Sequence, residues 1–133
     1  MACFLVSAAE AVVVTGLEKH EEKVEQARIE KGEPEPALKK IPMSRKLKWL
    51  SHMLWGGAVL LAFEHVWHGE IVPWFPFLTA MSDPADASEM FGEMATVGVA
   101  MAAIITLTWL VMWKVSDMIM ARSPEAVSAE TKA

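Results

Sequence analysis

A chain of 133 residues has room for one small domain, and a hydrophobic content of 53% excludes an intrinsically disordered one. A net charge of −5 excludes a basic nucleic-acid binder, so no nucleic-acid partner is expected, and one cysteine, Cys3, excludes an internal disulfide framework. The 17 acidic and 12 basic residues are segregated, most of them before Lys48 or after Trp113, and two long stretches between carry almost none.

In chain order, Ala2–Leu17 (ACFLVSAAEAVVVTGL) is apolar but only about 24 Å long as a helix, with Glu10 at its middle. It lacks the basic start of a signal peptide. Residues 1–17 are therefore read either as a short span with its N-terminus outside or as a helix lying in the interface or docked on a partner. Ser7, Ala11 and Thr15 form a small-residue ridge at a spacing of four, suited to close helix packing. Glu10 should face protein or water, because a carboxylate facing lipid is expensive. Residues 18–44 follow as a charged cytoplasmic helix and linker. Glu25 and Arg28 are spaced to pair, His20 is a surface histidine, and Gly32, Pro34 and Pro36 end the helix.

Residues 45–122 are predicted to form a transmembrane hairpin. Trp49–Trp67 contains the uninterrupted apolar run Leu54–Phe63, and Met94–Trp113 carries no charge over a length of about 30 Å. Too little amphipathic sequence remains to bury both as core helices. Lys39, Lys40, Arg45, Lys46 and Lys48 precede the first span, Lys114 and Arg122 follow the second, and no lysine or arginine lies between Glu64 and Glu93. The positive-inside rule then places loop 69–83 outside and residues 18–46 and the C-terminus in the cytoplasm. Trp49 and Trp113 would anchor the inner interface and Trp67 and Trp74 the outer one, while Trp55 and Trp109 lie deeper and should pack on a helix or lipid. His52, about one turn inside the first span, raises haem ligation, against which stands the lack of a histidine in the second span. Residues 123–133 are a polar tail.

The outer segment holds the candidate site. On one helical side, Glu64, His65 and His68 share a face at the end of the first span, with Glu70 just beyond and Gly69 permitting a helix end. Ile71–Leu78 (IVPWFPFL) cannot stay helical through Pro73 and Pro76 and is too apolar for a free loop. It reads as an interfacial segment anchored by Trp74, Phe75 and Phe77, or as a partner-binding patch. Asp83 before Pro84 signals a helix start that runs into the second span and puts Glu89 and Glu93 on one face. Glu64, His65, His68, Glu89 and Glu93 would thus meet at one membrane depth, where they would bind a divalent metal ion, serve a proton relay or quinone, or act as interface chemistry alone. The Glu-x-x-His pattern of carboxylate-bridged metal sites is absent.

Packing faces point to assembly. Gly56, Gly57, Ala58 and Ala62 in the first span, and Ala95, Gly98 and Ala102 in the second, form small-residue ridges suited to a homo-oligomer or a larger membrane partner. No phosphate-binding Gly-rich loop, GxSxG elbow, CxxC pair or HExxH helix is present, so independent enzymatic activity is not expected. The region Arg45–Arg122, above all LWGGAVLLAFEHVWHGEIVPWFPFLTAM, resembles uncharacterised small membrane proteins of bacteria. That resemblance brings no activity, ligand or partner with it. The expectation is an all-α protein of the bacterial cytoplasmic membrane, with two spans and either a short third or an interfacial N-terminal helix. Its expected role is that of a non-catalytic accessory or scaffolding subunit. A metal-, haem- or quinone-associated redox subunit and a holin-like pore former are the alternatives.

Overall fold

The computed structural model describes residues 2–32 and 41–121, and these form an all-helical protein without a β-strand. Pro34, Pro36, Lys39, Lys40, Arg122 and the tail 123–133 lie outside the described residues. Helix α1 spans Phe4–Glu30 and α2 spans Met43–Trp67. After a short 3₁₀ turn at Thr79–Ser82 come α3 (Pro84–Glu93), a π-helical turn (Met94–Gly98) and α4 (Val99–Ala121), one continuous rod.

The apolar segment 2–17 and the charged segment that follows make a single helix of 27 residues, about 40 Å long. A change of composition is not a change of backbone. Gly16 is the weakest helix former in this stretch, and the Glu and Lys residues after it favour helix. The helix ends at Gly32, whose φ of +71° lets its N–H turn back to the Ile29 carbonyl. In the same way α2 ends in a Schellman motif. Gly69 has a φ of +73° and bonds the Val66 carbonyl, and the Glu70 N–H reaches the His65 carbonyl. Asp83 caps α3, its carboxylate accepting from the Ala85 N–H at 2.8 Å, with Pro84 in the first turn as its neighbour pattern predicts.

The three rods alternate in direction. Thr15 meets Ser51 and Glu25 meets Ser44, so α1 and α2 are antiparallel. Lys46 at the start of α2 meets Asp117 near the end of α4, so these two are antiparallel as well. Hence the N-terminus of α1, the end of α2 and the start of α3 gather at one end with loop 69–83 (the loop end), and the start of α2 and the end of α4 form the other. The main core joins Ala11 and Val14 of α1, Leu50 and Leu54 of α2 and Trp109 of α4. A second, smaller core at the loop end joins Ala2, Ala80 and Met90.

The ridge Ser7–Ala11–Thr15 is the face α1 turns toward α2: Ser7 and Ala11 are fully buried, and the Thr15 and Ser51 hydroxyls hydrogen-bond at 2.8 Å. Glu10 faces protein as its chemistry requires, its Oε1 accepting from the Thr106 hydroxyl at 2.6 Å. The opposite face of α1, with Val12, Val13 and Leu17, is exposed. Of the packing residues read from the sequence, Gly57, Ala58, Gly98 and Ala102 are used within the chain. Gly57 lies against Ile105, and Gly98 receives Val6 and the Cys3 carbonyl. Gly56 and Ala95 face outward, and Ala62 is half-buried.

The continuous helix Pro84–Ala121, 38 residues, is long and apolar enough to cross a membrane, and only 17% of its most apolar 18-residue window is buried inside the protein. Among the described residues it is the one helix that meets this measure. Helix α2 has the length, but Arg45, Lys46, Lys48, His52, Glu64 and His65 lie within it and lower its mean hydropathy.

Candidate functional site

At the loop end a cleft of about 300 Å³ opens between α1, α2 and the junction of α3 with the π turn. Its polar lining is Cys3, Glu64, His65, His68, Glu70 and Glu93. Leu61, Val97 and Met101 line it on the side nearer the middle of the bundle. The helix-end geometry explains the convergence. Glu64 and His65 occupy the last turn of α2 and His68 caps it, the Schellman turn at Gly69 folds Glu70 back beside them, and α3 delivers Glu93 from across the loop.

His65 is buried and tightly held. Its Nδ1 lies 2.7 Å from the Leu61 carbonyl, which can only accept, so this nitrogen carries the proton. The ring meets Phe4 edge-on at 5.6 Å, and its Nε2 faces a Glu70 oxygen at 3.7 Å. The Cys3 thiol points to the Glu93 carbonyl at 4.0 Å, a weak contact that brings the start of α1 to the same place. Glu64 and His68 are exposed on the rim, and no hydrogen bond or ion pair between described residues joins them. The partner of a histidine here is Glu70, paired with His65.

Of the five residues predicted to gather, Glu64, His65, His68 and Glu93 line one cleft, while Glu89, exposed one turn earlier on α3, does not. Among the described residues no three His, Cys, Asp or Glu side chains are placed to hold one metal ion. His52 stands away from the cleft on the exposed side of α2, its Nδ1 bonded to the Lys48 carbonyl of its own helix at 2.7 Å.

Loop 69–83 is closed on itself rather than irregular throughout. Ile71 and Leu78 form an isolated antiparallel bridge, the Val72 N–H donates to the Phe77 carbonyl, and the Glu70 carbonyl accepts from the Thr79 N–H. Pro73 and Pro76, which lack an N–H, stop this ladder from growing, and a cis peptide joins Phe75 to Pro76. The tip presents Trp74, Phe75 and Phe77 outward, with Phe75 86% exposed. Trp67 is 79% exposed at the same end.

A second polar cluster, at the opposite end, escaped the sequence reading. Lys46 is only 4% exposed, and its Nζ donates to both carboxylate oxygens of Asp117, at 2.8 and 3.0 Å. The ammonium also lies 4.6 Å from the centre of the Trp113 ring, whose Nε1 donates to Asp117 at 2.7 Å, and Trp109 Nε1 donates to the Lys46 carbonyl. Trp113 and Trp49 are partly buried and pack against the main core. The available signal was Trp113–Asp117, one turn apart, opposite a cluster of lysines on the preceding helix.

Comparison with family models, with curated proteins and with solved structures finds no match to the chain. Its function is therefore argued from its own geometry.

Proposed function

We propose that the chain is an integral membrane protein whose three rods cross a bilayer together and that it serves as a non-catalytic accessory or scaffolding subunit. The observation that carries this reading is the apolar outer face of all three rods together with polar side chains held between them. Val12, Val13 and Leu17 of α1, Val59, Leu60 and Phe63 of α2 and Ile104, Leu107 and Val111 of α4 are exposed, while Ser7, Glu18, Ser51 and Lys46 are buried. In water such an arrangement would leave a continuous apolar surface uncovered. In lipid it is the favourable one, because outward apolar groups meet acyl chains and inward small and polar groups hold the helices together.

Charge supports an orientation. Arg45, Lys46, Lys48 and Lys114 lie at one end, and residues 64–93 at the other carry no lysine or arginine. The loop end, with the N-terminus of α1, then faces outside, residues 18–46 and the C-terminus face the cytoplasm, and the Trp74–Phe77 tip sits in the outer interface. The cytoplasmic membrane of a bacterium is the membrane proposed, as helical spans suit it. A partner or second copy is supported by what the fold leaves unused. A Cβ at Gly56 would meet nothing within 4 Å, and Ala95 is exposed, so close approach by another helix remains open at both.

The test is cysteine accessibility in a Cys3→Ser background, after extraction of membranes with alkaline carbonate. Met81→Cys should react with an impermeant maleimide on intact cells, and Arg45→Cys only after lysis. Release by carbonate, or equal labelling at both positions, would overturn the reading.

A further inference from the structure

An accessory subunit needs a partner, and, resting on the membrane reading above, we propose that Glu10 recognises a helix of another membrane protein that carries a lysine or arginine at its middle. Depth is the starting point. Glu10 lies at the middle of the apolar run 2–17, and Thr106 lies inside the uncharged stretch Met94–Trp113. The Thr15–Ser51 contact brings Glu10, five residues before Thr15, level with Gly56, five after Ser51 and near the middle of Trp49–Trp67. Glu10 thus stands near the centre of the bilayer, where a carboxyl needs a polar partner and marks a functional site by default.

Thr106 meets only part of that need. A carboxylate has two oxygens with about four acceptor sites, and the Thr106 hydroxyl fills one, on Oε1 at 2.6 Å. Oε2 has no partner among the described residues, and Glu10 is partly exposed rather than sealed in the core. At the same depth Thr15 is joined to Ser51 and Trp55, and the exposed Thr108 donates to the Ile104 carbonyl of its own helix. The open acceptor is that of Glu10.

The chain's own cations do not reach it. No lysine or arginine occurs in residues 1–18 or 49–113, and Lys19 is nine positions, about 13 Å, further along α1. A second copy has the same composition, so the cation comes from a different chain. The outer side of the α1–α4 seam suits a helix. Val13 and Leu17, three and seven residues after Glu10, are exposed on its side of α1, and Val99, Ala103 and Leu110 are exposed on the Thr106 side of α4. Ala103, one turn from Thr106, lets a neighbouring backbone come close. A cation at the middle of a span is as costly in lipid as Glu10 is, so charge selects which helix docks on this surface.

The experiment uses the full chain in phosphatidylcholine liposomes. Synthetic single-span peptides of about 20 leucine and alanine residues are added, identical except for lysine, glutamine or leucine at the central position. Association is read by energy transfer from the chain's own six tryptophans to a dansyl group on the peptide. The lysine peptide should associate about tenfold or more tightly than either of the others. Glu10→Gln, which keeps an acceptor for Thr106, should remove that preference. Equal association of the three peptides would overturn the assignment, and so would a lysine preference unchanged in Glu10→Gln. Self-association of the chain that Glu10→Gln abolishes, with no peptide added, would make a second copy the occupant and overturn it as well. The comparison among peptides needs no variant, so a misfolded mutant does not blur it. Failure of the membrane reading shows as release of the chain by carbonate, whereas failure here is a chain that stays in the bilayer without preferring lysine.

Discussion

Replacing Asp117 by alanine should destabilise the bundle by about 2–3 kcal/mol, more than any other single surface-proximal change at that end. The Asp117 carboxylate accepts two bonds from Lys46 Nζ and one from Trp113 Nε1. Its loss strands an ammonium that is 5% exposed, and breaking a fully buried pair costs about 3–5 kcal/mol. Two features reduce that figure. Asp117 is itself one-third exposed, so water screens the pair and can reach the vacated site, and the Trp113 face retains a cation–π contact of about 1 kcal/mol. Asp117→Asn keeps one acceptor and should cost roughly half as much. The assay is reversible unfolding in mixed micelles, followed by far-ultraviolet circular dichroism. The double variant Lys46→Met/Asp117→Leu is the decisive arm, because removing both charges together should restore stability to within about 1 kcal/mol of the parent. A loss below about 0.5 kcal/mol in Asp117→Ala, or a double variant no better than the single, would refute the reasoning.

Two glycines should respond in opposite senses under the same assay. A Cβ at Gly98 would stand 2.8 Å from Val6 Cγ2 and 3.2 Å from the Cys3 carbonyl, so Gly98→Ala should lose about 1–2 kcal/mol despite the better helix former. Gly56→Ala meets nothing within 4 Å and should gain about 0.5–1 kcal/mol. Equal effects at the two positions would contradict the packing described. At the start of α3, Asp83→Ala removes the cap on the Ala85 N–H and should cost about 1 kcal/mol, seen as faster hydrogen exchange confined to the first turn of that helix.

Local signals were legible and long-range pairings were not. The stop at Gly69, the start at Asp83–Pro84 and the long apolar rod beyond it are written in residues that act on their own neighbours, and each lies where those residues place it. The ridge Ser7–Ala11–Thr15 was readable because it has a helical period. The boundary of charge after Leu17 lies inside α1, because no residue there interrupts the backbone. The convergence of Glu64, His65, His68 and Glu93 followed from the hairpin itself, whereas the separation of Glu89 depends on how α3 is rotated, which no local pattern specifies. Lys46 with Asp117, 71 positions apart, and Glu10 with Thr106, 96 apart, depend on the register between rods and could only be seen in three dimensions.

The π turn has a further role in where the long rod points its side chains. Met90 belongs to the loop-end core, and Ala102 and Trp109 are the buried residues of α4. Twelve residues separate Met90 from Ala102, and in unbroken α-helix, at about 100° per residue, they would lie about 120° apart around the axis. A π turn accommodates one extra residue. With that residue discounted, the angle shrinks to about 20°, and Trp109, seven positions beyond Ala102, turns back by about 20° to the azimuth of Met90. One azimuth of one helix therefore addresses both cores. Deleting one residue of the π turn would let it close into plain α-helix and keep that azimuth, whereas adding one between Met90 and Ala102 would rotate the first three turns of the rod by about 100° relative to the rest.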